Sequence, residues 1–125
     1  MPITRAAQAP RFDLDGVHFV GFTAPSRGAT ELCTWQLELD PGAGGHPHRL
    51  SREEVFVALD GTLSFTIDDE AIELSRGDAL AVPANCLMEV ANHGQQTARA
   101  LVCVSAGFTA VYADGREIGT PPWAQ

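Results

Sequence analysis

Two imidazoles and a carboxylate fall within nine residues: His46 and His48 flank Pro47, and Glu54 follows. Two histidines and one carboxylate are a donor set that could hold iron(II) with open positions for substrate and dioxygen. His48 or Glu54 could instead act as a general acid or base on a bound substrate. A plainer reading leaves both histidines as solvated or hydrogen-bonded residues of a Gly/Pro-rich loop, with Glu54 at an exposed strand start paired to Arg49 or Arg52. Glu54 is the most informative of the three, because a carboxylate running into the strand Val55–Leu59 is costly to bury unpaired. Positions 46, 48, 50 and 54 share one parity, so in a regular strand any of them could face inward.

The elements that must position these groups read as strands and turns almost throughout. HFVGF at 18–22 is a candidate strand. In ELCTWQLEL, Cys33, Trp35, Leu37 and Leu39 alternate with Thr34, Gln36 and Glu38, the pattern of a strand with one buried face. Pro41 and the Gly42–Gly45 stretch end it. Asp60-Gly61 is a favoured two-residue connection, so EVFVAL and TLSFTI are expected to form a hairpin. Asp68–Glu70 reads as a polar turn, and AIEL, ALAVP, LMEVAN and ARALVCVSAG as further short strands. Many short strands without a helical period argue for an all-β sandwich or barrel. The prolines of GTPPWAQ exclude a central strand there. That tail is expected to lie over the barrel or a partner subunit, burying Trp123.

The chain has 125 residues, which suits one domain, and 45% hydrophobic content supports a real core. Net charge is −8 with no Lys/Arg cluster, which disfavours nucleic acid or an anionic membrane as partner. No secretory signal and no membrane-spanning run is evident, so a cytoplasmic protein is expected. Three cysteines, Cys33, Cys86 and Cys103, lack metal-knuckle spacing and read as reduced thiols. Cys33 and Cys103 are expected to behave as small buried hydrophobes. Cys86 sits in the PANCLM turn, where a reactive role would require a lowered thiol pKa. His18 and His93 are expected to be structural or exposed, and Asn92 to serve the turn that ends its strand.

Two glycine-bounded segments, GAGGHPHRLSREEVFVALDG (42–61) and GDALAVPANCLMEVAN (77–92), resemble the signature motifs of the cupin superfamily. The resemblance implies a jelly-roll, or double-stranded β-helix, barrel. It spans a single domain over 1–125, with core motifs at 42–92, an N-terminal arm over about 1–16 and a C-terminal tail over about 114–125. Cupins usually hold one metal through three histidines and a glutamate. The first motif reads G-x5-H-x-H, three or four residues, then E-x6-G. Counting back from Gly61 places its glutamate at Glu54. Counting forward from Gly42 places its first histidine at His48 and its second on Leu50. The alternative register takes His46 and His48 as the pair, with looser spacing. In the second motif, G-x5-P-x-G-x2-H-x3-N, Gly77, Pro83 and Asn92 match, Asn85 replaces a glycine, and Met88 occupies the histidine position. A thioether is poorly matched to hard ions and is a common filler of apolar interiors.

The resemblance therefore implies a small cupin that binds a small molecule inside its barrel, with a degenerate metal site. Trp35, Phe56, Phe65, Met88 and Leu101 are candidates for an apolar pocket with His48 and Glu54 as its polar anchor, and either of these two could act as general acid or base as in metal-independent epimerase-like cupins. One alternative is a metal-dependent oxygenase or isomerase using His46, His48 and Glu54 with iron, manganese, zinc, nickel or copper. Another is a sensory or accessory module. Cupins commonly form dimers through edge strands, so a homodimer is expected.

Overall fold

The computed structural model describes residues 1–125 as two six-stranded antiparallel sheets packed face to face. The strands are β1 (Arg11–Leu14), β2 (Val17–Thr23), β3 (Leu32–Leu39), β4 (Gly44–Leu50), β5 (Glu54–Asp60), β6 (Thr62–Ile67), β7 (Glu70–Ser75), β8 (Ala79–Val82), β9 (Met88–Ala91), β10 (Ala98–Ser105), β11 (Ala110–Tyr112) and β12 (Glu117–Gly119). The first sheet runs β1-β2-β3-β10-β5-β8 and the second β12-β11-β4-β9-β6-β7. This is the expected jelly roll. No helix is long and apolar enough to cross a membrane.

The predicted alternation in β3 is realised: Cys33, Trp35, Leu37 and Leu39 are buried, and the residues between them are not. β10 alternates in the same way, but with the small residues Ala98 and Ala100 facing inward beside Val102 and Val104. Large side chains sit beside these small ones in the ladder. Val102 lies between Trp35 on β3 and Phe56 on β5, and Ala100 between Leu37 and Ala58. From the second sheet Leu63, Phe65, Ile67, Met88 and Val90 complete one contiguous core.

The expected β5–β6 hairpin does not form. β5 pairs with β10 on one side and β8 on the other, which leaves no edge for β6. β6 crosses instead to the opposite sheet, between β7 and β9. Asp60-Gly61 is thus a corner between sheets. Gly61 has a φ of 68°, and a Cβ there would come within 2.7 Å of the Thr97 carbonyl oxygen. A two-residue hairpin lies one connection later: Asp68 and Asp69 both have positive φ, and Ile67 pairs with Glu70, as Asp15 and Gly16 do between Leu14 and Val17. That pair of conformations fits a type I′ turn.

The C-terminal tail covers one end of the barrel. Its last turn, Pro122–Ala124, places the Trp123 ring on Phe19 with centroids 3.6 Å apart and planes 7° from parallel. The Cys33 thiol donates to the Ala124 carbonyl, and the Ser26 amide donates to the Gln125 carbonyl. His18 lies between two carboxylates, Nδ1 against Asp13 and Nε2 against Asp40, and so ties the β1–β2 hairpin to the end of β3. Asn92 serves the turn after β9: its amide donates to the Leu39 and Gln96 carbonyls and accepts from Gly94 N–H. His93 is exposed.

β4 depends on a glycine that nothing larger can replace. At Gly44 φ is 129°, and a Cβ would lie 2.4 Å from the Ala91 Cα and 2.5 Å from the Val90 oxygen, both backbone atoms of β9. Gly44→Ala is expected to cost about 2–4 kcal/mol of unfolding free energy in urea, because β4 must move off β9. Gly42 also has positive φ but open space around it, so Gly42→Ala should cost only about 1–2 kcal/mol.

Candidate functional site

Between the inner faces of the two sheets lies a cavity of about 150 Å³, and hydrophobic residues form most of its wall. Trp35 and Phe56 contribute from the first sheet, Met88 and Val90 from the second, and Pro121 and Trp123 from the tail. Polar groups are few: His46, His48, Glu54 and Tyr112. Phe108 and Trp123 flank Trp35, with ring centroids 6.1 and 6.4 Å away. The lining contains no lysine or arginine.

β4 brings its two histidines to the cavity by an irregular path. Gly44, Gly45 and His46 have φ values of 129°, 98° and 61°, and the pairing with β9 shifts register between Gly45 and His48. Three residues of β4 therefore span two of β9, the arrangement of a bulge. The shared parity of positions 46 and 48 therefore does not put them on one face. His46 is exposed at the rim, whereas His48 is half-buried and pairs directly with Met88 across the ladder.

His48 Nδ1 lies 2.8 Å from the His46 carbonyl oxygen. A ring N–H donating there leaves Nε2 as the basic nitrogen of the neutral imidazole. Burial lowers the His48 pKa, partly opposed by that hydrogen bond, so the neutral form dominates near pH 7. Glu54 opens β5 between Val82 and Val104 and is 5% exposed. No ion pair or hydrogen bond engages its carboxyl: Arg49 donates to the Asn85 carbonyl instead, and Arg52 is exposed. Burial alone raises its pKa from 4.5 to about 8, because the low-dielectric interior penalises the charged form. At neutral pH the cavity thus holds an un-ionised carboxylic acid beside a wall that also carries an uncharged imidazole.

The sequence model of the cupin domain matches residues 35–104, more than half of the chain. The chain belongs to the cupin family. It is 31% identical over 109 residues to the β-D-galactosidase Rv1717 of Mycobacterium tuberculosis, covering 84% of this chain and 94% of that protein. Among solved structures it is similar to the polyketide cyclase RemF of Streptomyces resistomycificus, at 17% identity and a TM-score of 0.74 over 98% of this cupin and 88% of the cyclase. KdgF from Halomonas sp. superposes with a TM-score of 0.69 at 20% identity, over 82% of this cupin and 91% of KdgF. These structural likenesses concern the fold.

Within this cupin the metal-ligand positions do not assemble a metal centre. Nowhere do three His, Cys, Asp or Glu side chains come together closely enough to share an ion. His46, His48 and Glu54 all border the cavity without converging, and Leu50 and Met88, both buried, occupy the other two positions as apolar wall. One imidazole, one protonated carboxyl and a soft thioether do not fit a mononuclear site for a hard or borderline ion.

Of the pocket residues expected from sequence, Trp35, Phe56 and Met88 line the cavity. Phe65 and Leu101 do not. Phe65 is packed edge-on to Phe56 at 4.9 Å, in the core behind the wall. Leu101 sits on the outer face of β10, because the inward positions of that strand are Ala100 and Val102. Cys103 shares this outer face and is only half-buried, whereas Cys33 is fully buried and its thiol pKa is raised by burial. All three thiols are free. Cys86 hydrogen-bonds the Asp68 carboxylate, which raises its pKa, the reverse of what an activated thiol needs. Sequence reasoning missed Phe19, Phe108 and Tyr112 as wall residues. HFVGF carries apolar residues on both faces and so does not orient Phe19, and Phe108 and Tyr112 stand in stretches too short to show a period.

The raised Glu54 pKa sets a pH dependence of stability. The unfolded chain loses this proton near 4.5 and the native protein only near 8, so the native state binds more protons in between and stability falls as pH rises across that window. The loss is complete above about pH 8. Relative to wild type, Glu54→Gln is expected to unfold at a similar temperature at pH 4.5 and at a higher one at pH 9. The difference grows by up to about 1.4 kcal/mol per pH unit within the window. Comparing the two proteins isolates Glu54 from His18, whose pKa is raised chiefly by its hydrogen bond to Asp13 and then by that to Asp40.

Metal retention gives a second check. Protein loaded with iron(II), manganese, zinc, nickel or copper and then desalted is expected to keep well below one ion per chain by elemental analysis. About one retained ion, lost in Glu54→Ala, would show that the side chains rearrange into a centre.

Proposed function

We propose that this cupin takes a small organic molecule into its barrel and that Glu54 serves as a buried proton donor to it, with His48 of the opposite sheet as the neutral acceptor. The observation that carries this reading is a carboxyl group buried without any partner in a mostly apolar cavity. Such a group costs stability in the free protein, and a ligand oxygen would supply the hydrogen-bond partner that it lacks. An acid whose pKa stands near the working pH is also suited to give and retake a proton. Carbonyl or hydroxyl oxygen is the natural recipient, so proton-transfer chemistry such as isomerisation, cyclisation or elimination fits the site better than chemistry that requires a metal.

The β-D-galactosidase relative raises a second reading, glycoside hydrolysis, supported by identity over most of both chains. Most glycosidases work with two carboxyl groups across the scissile bond. Glu54 is the one carboxyl on this cavity wall, which favours the first reading.

A thermal-shift survey of neutral small molecules at pH 7 tests the proposal. A ligand present at a hundred times its Kd is expected to raise the unfolding midpoint by more than about 5 °C. The shift should vanish in Ala110→Phe, which fills the cavity, while that variant still shows a cooperative unfolding transition. No stabilising compound across a broad library would overturn the reading. Turnover of a nitrophenyl β-D-galactoside that disappears in Glu54→Gln would favour the hydrolase instead.

A further inference from the structure

Resting on the binding role proposed above, we infer the ligand class: an uncharged molecule that buries one six-membered planar ring, carrying an oxygen acceptor, among the aromatic walls of the barrel.

Charge supports the first part. An anionic ligand would enter a wall without a single lysine or arginine, in a chain of net charge −8. An ionised phosphate or carboxylate buried there would have no counter-charge, a penalty that its other contacts could not offset. A cation would fare little better, because the one carboxyl on the wall is held in its neutral form by the same burial. Neutral ligands alone avoid both costs.

Size and shape support the second part. A cavity of about 150 Å³ is the size that accommodates benzene. The pocket opens at its rim, so one ring is the part of a ligand that it encloses. The walls are flat: Trp123 lies stacked on Phe19, and Trp35 approaches both Trp123 and Phe108. Planar rings gain from such surfaces through offset stacking and edge contacts, beyond their apolar area. A saturated, polyhydroxylated ring would desolvate many hydroxyls against a wall that returns few hydrogen bonds.

The hydrogen-bond inventory supports the third part. The un-ionised Glu54 carboxyl faces the cavity with no hydrogen-bond partner from the protein. The indole N–H of Trp123 also lacks a partner, but it is closed off from the cavity and serves no ligand there. An unmet donor in an apolar site destabilises the free protein. A carbonyl oxygen on the ring meets that donor, whereas a ring with only hydrogen-bond donors does not.

The two tryptophans of the chain, Trp35 and Trp123, both line the cavity. The protein therefore gives two indole N–H signals in a nitrogen–proton correlation spectrum, and both report on this site. Titration at pH 7 would use acetophenone as the neutral ring with an acceptor, benzoate as its anionic counterpart, toluene as the ring without an acceptor, and D-galactose as the saturated polyol. Acetophenone is expected to shift both indole signals and to bind at least tenfold more tightly than benzoate or galactose. Glu54→Leu should weaken acetophenone about tenfold while leaving toluene within about twofold; Glu54→Gln, which keeps an N–H donor, should retain acetophenone. Tighter binding of benzoate or galactose than of acetophenone would overturn the ligand class and leave the barrel's binding role standing. Saturable shifts from none of the four would overturn the ligand class, and only a blank thermal-shift survey as well would remove the binding role.

Discussion

β10 hydrogen-bonds β3 along one edge and β5 along the other, and β9 does the same between β4 and β6. Because these central strands have no free edge, every neighbour in sequence must pair elsewhere, and the chain crosses between sheets at its corners. The inner faces then meet with small residues of β10 beside large ones of β3 and β5. Where those faces diverge, toward β4 and the tail, the packing leaves a cavity instead of solid core. Glu54 stands at that divergence as the first residue of β5. Its strand register, fixed by Val104 and Val82 on either side, turns the side chain inward without any choice of its own.

The electrostatics follow from that placement. A carboxyl held by two apolar neighbours, with Arg49 committed to a backbone carbonyl on another turn, has no cation to keep it charged. It stays protonated, and the same low dielectric keeps His48 neutral. An acid and a base that are both uncharged can face one cavity without repelling or neutralising one another, which a Glu−/His+ pair in solvent could not do. The bulge in β4 contributes by separating His46 from His48: one goes to the rim and the other to the wall.

Much of this architecture was legible in the sequence. The alternation of β3 and β10, the two glycine-bounded motifs and the prolines of the tail each constrain the backbone locally, and each was realised. The β5–β6 connection was not legible, because Asp60-Gly61 satisfies a hairpin and a sheet-crossing corner equally well; the decision lies in long-range pairing of β5 with β10. The inward face of Glu54 could be suspected from the strand behind it. The absence of any partner could not, since Arg49 and Arg52 are near in sequence and their direction is set by the turns around Asn85 and Ser51. Leu101 was assigned to the wrong face because its strand carries apolar residues on both sides, which erases the period that would have oriented it.

Leu50 and Met88 stand beside Glu54 and set its surroundings. A histidine at either position would place a second imidazole near Glu54, and an imidazole or a metal bound to it would draw the carboxyl into its charged form. Two apolar side chains do the opposite: they exclude water from the carboxyl and deny it a charge partner. Substitution of the ligand positions thus converts the chemistry of the barrel instead of merely removing it. The pocket has an apolar wall with one neutral donor in place of an ion-holding corner, and on the binding role proposed above the aromatic residues of β2, β3 and the tail are its principal means of recognition.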